Sequence, residues 1–463
     1  MADAFEQIWQ RLATVDLFGQ GGEALPSATD LPLAVTAGAA QMPHVYQDTY
    51  IAPLETNMAR LLASIPDNAS TVETLTAAVY QHQANDPMRA PLNRFLAVIS
   101  NLYRSFLDDN KRANAGVTLT ETLPPLAMFQ NDGSSGPFTM PVDDVISIIG
   151  GEVGVVSLPA TYANDPIIWA SLTHEVCGHD VTHADAGLLD ELTAGVATAF
   201  AGAPSDPSIA RDDLASLWGY WMDEAVADVY GLLNMGPIFA TNLAFFFVAL
   251  NKLGGGTAEL RMVSGFDRGD PKKMLDPHPT DILRLHLAIG VIDTLTGLAL
   301  ADRTRYIADL EALAATLAKG ATVQLVGHVP AAGGGLAPLQ VKVPLAYMQQ
   351  SARNVGGYIA SAKLVALNDH GIQDIETWDD GDEARATIIR DALLAGKSIV
   401  SQGDDAQLLA GTTLALLQKP DQYDAFTVQL NAALDESFAT DPFWGMPPKD
   451  PIYLRYPKKL SLG

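Results

Sequence analysis

Residues 171–185 read SLTHEVCGHDVTHAD and hold three of the nine histidines, His174, His179 and His183. Glu175 and Asp180 sit among them, as does Cys177, the only cysteine. Further along comes a second chemical stretch, residues 221–230, WMDEAVADVY. Imidazole nitrogens and carboxylate oxygens are zinc donors, and a catalytic zinc site keeps one position open for water. The two stretches are expected to fold together into one zinc site that activates water.

The usual helical device is H-E-x-x-H, in which two histidines four apart share a face. Here the spacing is H-E-x-x-x-H, from His174 to His179. At ~100° per residue, five steps on a regular helix leave side chains about 140° apart, too far to grip one ion. One extra residue in the turn, a π-bulge, removes the conflict, and such bulges recur at functional sites. Gly178, a poor helix former, is where the backbone is expected to yield.

H-E-x-x-G-H resembles the zinc motif of the dipeptidyl-peptidase III family, which carries one residue more than other zincins. That family's second motif is E-E-x-x-A-(E/D), and residues 223–228, DEAVAD, match it with Asp in the first place. The resemblance covers two six-residue patches and implies His174, His179 and Glu224 as zinc ligands, with Glu175 as general base. It also implies Asp223 and Asp228 as acids that steady the ligand histidines. His278-Pro279…Arg284 resembles an element that follows the glutamate helix in other gluzincins, including prenyl-protein endopeptidases and minigluzincins. That likeness suggests a site-facing His278 that donates to a substrate oxyanion; the plainer reading is a helix-start histidine.

The residues support the same assignment by themselves. Glu224 and Asp228 stand at i and i+4 on one helix face, beside Trp221, Ala225 and Val229. Buried there, they need a cation or donors. Metal-bound histidines pass their other N–H to a carboxylate, which Asp228 and Asp223 are placed to accept. Water on zinc held by His, His and Glu titrates near pH ~7. Glu175 then takes its proton as the water attacks a polarised carbonyl.

Two other donor sets deserve weighing. Glu175, His179 and His183 share a face of an unbulged helix at i, i+4, i+8, which makes His183 an alternative ligand. Cys177 faces away from both triads and reads as a small buried residue. A di-iron site needs Glu-x-x-His pairs on two helices, and serine hydrolysis a G-x-S-x-G elbow; the chain has neither. A zinc-binding protein without catalysis is the main alternative. Glu175 speaks against it, since structural zinc needs no base and prefers closed, cysteine-rich ligand sets.

The whole chain sets the frame. Its 54 acidic residues outweigh 28 basic ones for a net charge of −26, which argues against a nucleic-acid partner. With 48% hydrophobic residues in 463, it can bury a large core. One cysteine allows no internal disulfide. The N-terminus lacks a signal-peptide pattern, and 237–250 is too short to span a bilayer, so a soluble, cytoplasmic protein acting on peptides is expected.

The expected fold is mainly α (α+β), a zincin-like helical core with a small β-hairpin or sheet. Three regions are expected: 1–137 helical, 138–320 the zinc-binding catalytic core, and 321–463 mainly helical. Residues 3–15 read as a helix, 17–50 as an irregular wrap and 53–110 as helical, with a stripe from Leu92 to Phe106. Residues 131–137 read as a loop and domain boundary. Residues 145–158, VISIIGGEVGVVSL, read as a tight hairpin about Gly150-Gly151. Asp165 and Pro166 mark the start of the histidine helix, which runs to about Ala186. A helix at 188–200 and one continuous helix at 212–235 follow, ended by Gly236-Pro237. Residues 251–276 read as a loop and 279 onward as a helix with Pro279 in its first turn. Residues 302–318 read as helix, 321–329 as strand, 331–338 as linker and 344–437 as helical. The Pro-rich tail from Phe443 is expected to lie extended on the surface.

Overall fold

A computed structural model describes residues 2–14, 26–107, 109–117, 123–130, 136–170, 173–253, 255–264, 274–330, 335–441 and 443–444. The side chain of Cys177 and the tail from 445 lie outside the described residues, as do 15–25, 131–135 and the 265–273 part of the loop. The fold is mainly helical with two small mixed sheets. One hydrophobic core runs from Phe5 to Trp444. Among the described residues, no helix is long and apolar enough to cross a membrane.

The first sheet lies beside the histidine stretch. Its strands are β1 (Leu126–Gln130), β2 (Phe138–Met140) and β3 (Val155–Pro159), in the order β1-β3-β2. β3 is parallel to β1 and antiparallel to β2, so residues 131–137 join two strands of one sheet. β1 and β3 are buried along their whole length, as strands covered on both faces must be. The second sheet orders β4 (Val263–Ser264), β5 (Thr322–Pro330) and β6 (Leu336–Pro344), with β5 and β6 an antiparallel hairpin.

Several local expectations are corrected. The hairpin about Gly150-Gly151 does not form: Val142–Ile149 is a helix, and β3 starts only at Val155. Val145 and Ile149 are the buried pair, a period of four, and Asp143 and Asp144 favour the positive N-terminal end of the helix. Gly150, at φ +75°, closes the helix in the left-handed conformation rather than turning a hairpin. The irregular wrap contains a helix, Leu31–Ala39, and a π-turn, Gln47–Ile51, that leads into helix Ala52–Tyr80. The linker at 331–338 runs into β6, whose prolines and Lys342 dilute a strand pattern.

The helix expected at 212–235 is two helices, Arg211–Tyr220 and Met222–Met235, broken at Trp221. The Trp221 indole donates to the Asp276 carbonyl at 2.9 Å, and this bond anchors the break. The break puts Asp223 and Glu224 in a first turn. The tail does not begin on the surface. Trp444 is buried, stacks on Tyr46 and His82, and donates to Ser100. Pro279 lies outside its helix, which runs Asp281–Thr294 with Thr280 at the cap.

Candidate metal centre

Three elements supply the centre: the histidine turn His174–Asp180, the glutamate helix Met222–Met235, and the arginine helix Asp281–Thr294. The histidine turn is π-helical. Its i→i+5 bonding brings residues five apart back over one another, which the H-E-x-x-x-H spacing requires. Gly178 matters for a different reason than chain softness. A Cβ there would stand 2.2 Å from Ala227 Cβ and 2.3 Å from its Cα. Only a glycine lets the turn approach the glutamate helix so closely.

One nitrogen from each of His174 and His179 and a carboxylate oxygen of Glu224 lie within 4.8 Å of one another. Among the described residues no other His, Cys, Asp or Glu group of three is so arranged. His174 Nε2 is 3.0 Å from Glu224 Oε2, and His179 Nε2 is 3.7 Å from Oε1. On the far side of each ring, Nδ1 faces another carboxylate: Asp228 at 3.0 Å from His174 and Asp223 at 3.3 Å from His179. An ionised carboxylate only accepts, so a hydrogen on each Nδ1 serves it, although Arg284 Nη2, a donor, also stands 3.0 Å from His174 Nδ1. A neutral ring then turns the Nε2 lone pair toward Glu224, which is also an acceptor. Glu224 Oε2 is buried with no hydrogen-bond partner among the described residues. Such a set of N,N,O donors could hold a metal ion, and a proton on His174 meets the same lone pairs when none is bound.

Arg284 stands behind the His174 side. It is buried and grips Asp228 through two contacts of 2.6 Å, from Nε and Nη2, over the face of Phe247. Burial alone would raise the Asp228 carboxyl, but Arg284 and His174 hold it below its usual range. Burial would raise Glu224 as well; His174, then His278 and His179, outweigh it and lower it. The histidines respond in the opposite sense. Burial and Arg284 oppose charging His174, yet Asp228 and Glu224 lift its pKa to about 10. Burial likewise opposes His179, and Asp223 and Glu224 raise it.

A metal ion held here would compete with protons for the same nitrogens. Zinc added to the metal-free protein at pH 7 is expected to release protons, and its affinity to fall as pH drops. Calorimetry in buffers of different ionisation enthalpy measures this; heats independent of buffer would contradict it. Without metal, the raised His174 contributes stability that is complete below the ordinary 6.5 and lost as pH rises through about 10.

The remaining sequence candidates take distinct places. Glu175 is half-buried, and its carboxylate meets the Thr139 hydroxyl. His183 stands outside the converging set, with Nδ1 3.0 Å from Asp143 and Nε2 3.7 Å from Asp223. These two acids, Asp223 first, raise its pKa to about 9. Glu175, His179 and His183 do not converge on one point.

His278 does face the site, with Nε2 3.1 Å from Glu224 Oε1. Asp276, whose side chain is fully buried, accepts from both the His278 backbone N–H and Nδ1. Arg261 braces Asp276 and Asp281 from behind. Asp165 occupies the cap position before Pro166, but its carboxylate accepts from Tyr423 rather than capping. Asp185 is held by both terminal nitrogens of buried Arg112, at 2.8 and 2.7 Å. Sequence reasoning missed Arg112, Thr139, Asp276 and Arg261. Of these, Asp276 alone has a local signal, an Asp two residues before His278 in a Pro-rich turn. Compared with protein-family models, curated proteins and solved structures, the chain matches none of them.

Proposed function

We propose that this chain is a zinc-dependent hydrolase, a gluzincin-like metallopeptidase that cleaves peptide bonds. The observation that carries this reading is the convergence of His174, His179 and Glu224 across a π-turn, with Glu175 next in the chain. Zinc held by these three residues would polarise a substrate carbonyl and acidify a water. Glu175 acts as the base that takes the water's proton and passes it to the leaving nitrogen. Asp228 and Asp223 orient the two imidazoles, and Arg284 keeps Asp228 ionised inside the core. The net charge of −26 argues against a nucleic-acid backbone as the partner.

A second reading, zinc held for structure or in a non-catalytic binding module, draws on His278. A third imidazole beside Glu224 is what a closed ligand set would use. The two readings part on Glu175→Gln. The hydrolase reading expects zinc content unchanged and turnover of a peptide library lowered by ~10²–10⁴-fold. Wild-type protein replete with zinc but inert toward peptides, esters and amides would sink the hydrolase and leave the binding module.

A further inference from the structure

We infer that Thr139, on the edge strand of the first sheet, is a positioning residue for Glu175; this rests on the hydrolase reading above. β2 pairs with β3 on one side only, Thr139 lying opposite Val156. Side chains alternate along a strand, so Thr139 points away from buried Met140 and meets the histidine turn. Its Oγ1 stands 2.8 Å from the Glu175 carbonyl oxygen and 3.1 Å from the Glu175 carboxylate Oε2. Among the described residues, this hydroxyl is the hydrogen-bond partner of that carboxylate. It ties the side chain of Glu175 to its own backbone within the π-turn.

The hydroxyl has one hydrogen and faces two acceptors, so with an ionised Glu175 it can donate to only one of them. The arrangement is complete at one stage of turnover. As the water's oxygen bonds to the carbonyl carbon, its O–H breaks and the proton passes to Glu175. Glu175 Oε2–H can then donate to Oγ1 while Oγ1–H donates to the Glu175 carbonyl, and both contacts are hydrogen bonds. When the C–N bond breaks, that proton leaves with the nitrogen. Thr139 thus fixes where the base stands and matches it best while it carries the transferred proton.

The test compares Thr139→Val, Thr139→Ser and Glu175→Gln on a quenched fluorescent peptide library, with zinc content and crystal structures of each. Thr139→Val, nearly isosteric, is expected to lose kcat roughly tenfold, the worth of about one hydrogen bond, with KM and zinc content unchanged. Thr139→Ser is expected to restore it. In the Thr139→Val structure, the Glu175 carboxylate is expected to swing away while His174, His179 and Glu224 stay. Full activity in Thr139→Val beside an inactive Glu175→Gln overturns the inference, as does a serine variant as impaired as the valine. If wild type and Glu175→Gln cleave alike, the hydrolase reading fails. The carboxylate position in Thr139→Val then decides the role of Thr139: unmoved, it overturns the inference.

Discussion

Glu224→Ala is expected to purify as a folded chain without zinc, and wild type with one ion per chain. The substitution removes the oxygen toward which both Nε2 atoms turn. Two imidazoles remain, each still held by its own acid. The loss in affinity should go well beyond the roughly 10–100-fold that accompanies loss of an outer partner. Folding is spared because the change removes a buried charge rather than stranding one. His174→Ala should also lose the ion, whereas His183→Ala should keep it, since His183 turns to Asp143 and Asp223. Metal analysis of the three purified variants decides. Zinc at wild-type stoichiometry in Glu224→Ala, or its loss from His183→Ala alone, would end the assignment.

The second large effect is on stability. Asp228→Asn keeps the shape of the side chain but leaves the Arg284 charge buried without its partner. Breaking one side of such a pair costs about 3–5 kcal/mol, a large share of the total for most domains. The same change replaces the charged acceptor that orients His174 with a neutral amide, so zinc affinity should fall by roughly 10–100-fold. Arg284→Met placed in the Asp228→Asn background should recover most of the lost stability but not the affinity, because the stranded charge is gone while His174 still lacks its charged acceptor. Urea unfolding of the two single variants and the double variant gives the coupling. Additive costs would show that the pair does not act as a unit.

The convergence of His174, His179 and Glu224 was legible because their chemistry sits in two short stretches and their spacing carried its own contradiction. Two histidines five apart cannot share an ion on a regular helix, and the chain resolves this with the expected π-turn. The role of Gly178 was only half legible. Its weak helix propensity suggested softness, whereas the determining fact is Ala227, which stands against it from a helix some fifty positions later. The helix after Pro141 was read as a hairpin because valine and isoleucine runs around two glycines carry strand signals. Tertiary burial of Val145 and Ile149 decided otherwise. The break at Trp221 was invisible because its cause, the bond to the Asp276 carbonyl, is contributed from far along the chain. Thr139 and Arg112 were missed for the same reason: an isolated hydroxyl or guanidinium shows no pattern until folding supplies its partner.

The contact between residues 178 and 227 has a consequence for which ions the centre can accept. With no room for one more carbon at that crossing, the width of the jaw is set by two main chains and not by adjustable rotamers. Lengthening or trimming a neighbouring side chain retunes the lining but leaves the gauge alone. A large hard cation, which wants six to eight oxygens on long bonds, would meet a caliper that does not open. Side chains around the three donors can be exchanged without moving that crossing, while the smallest residue in the turn is the one that cannot be enlarged.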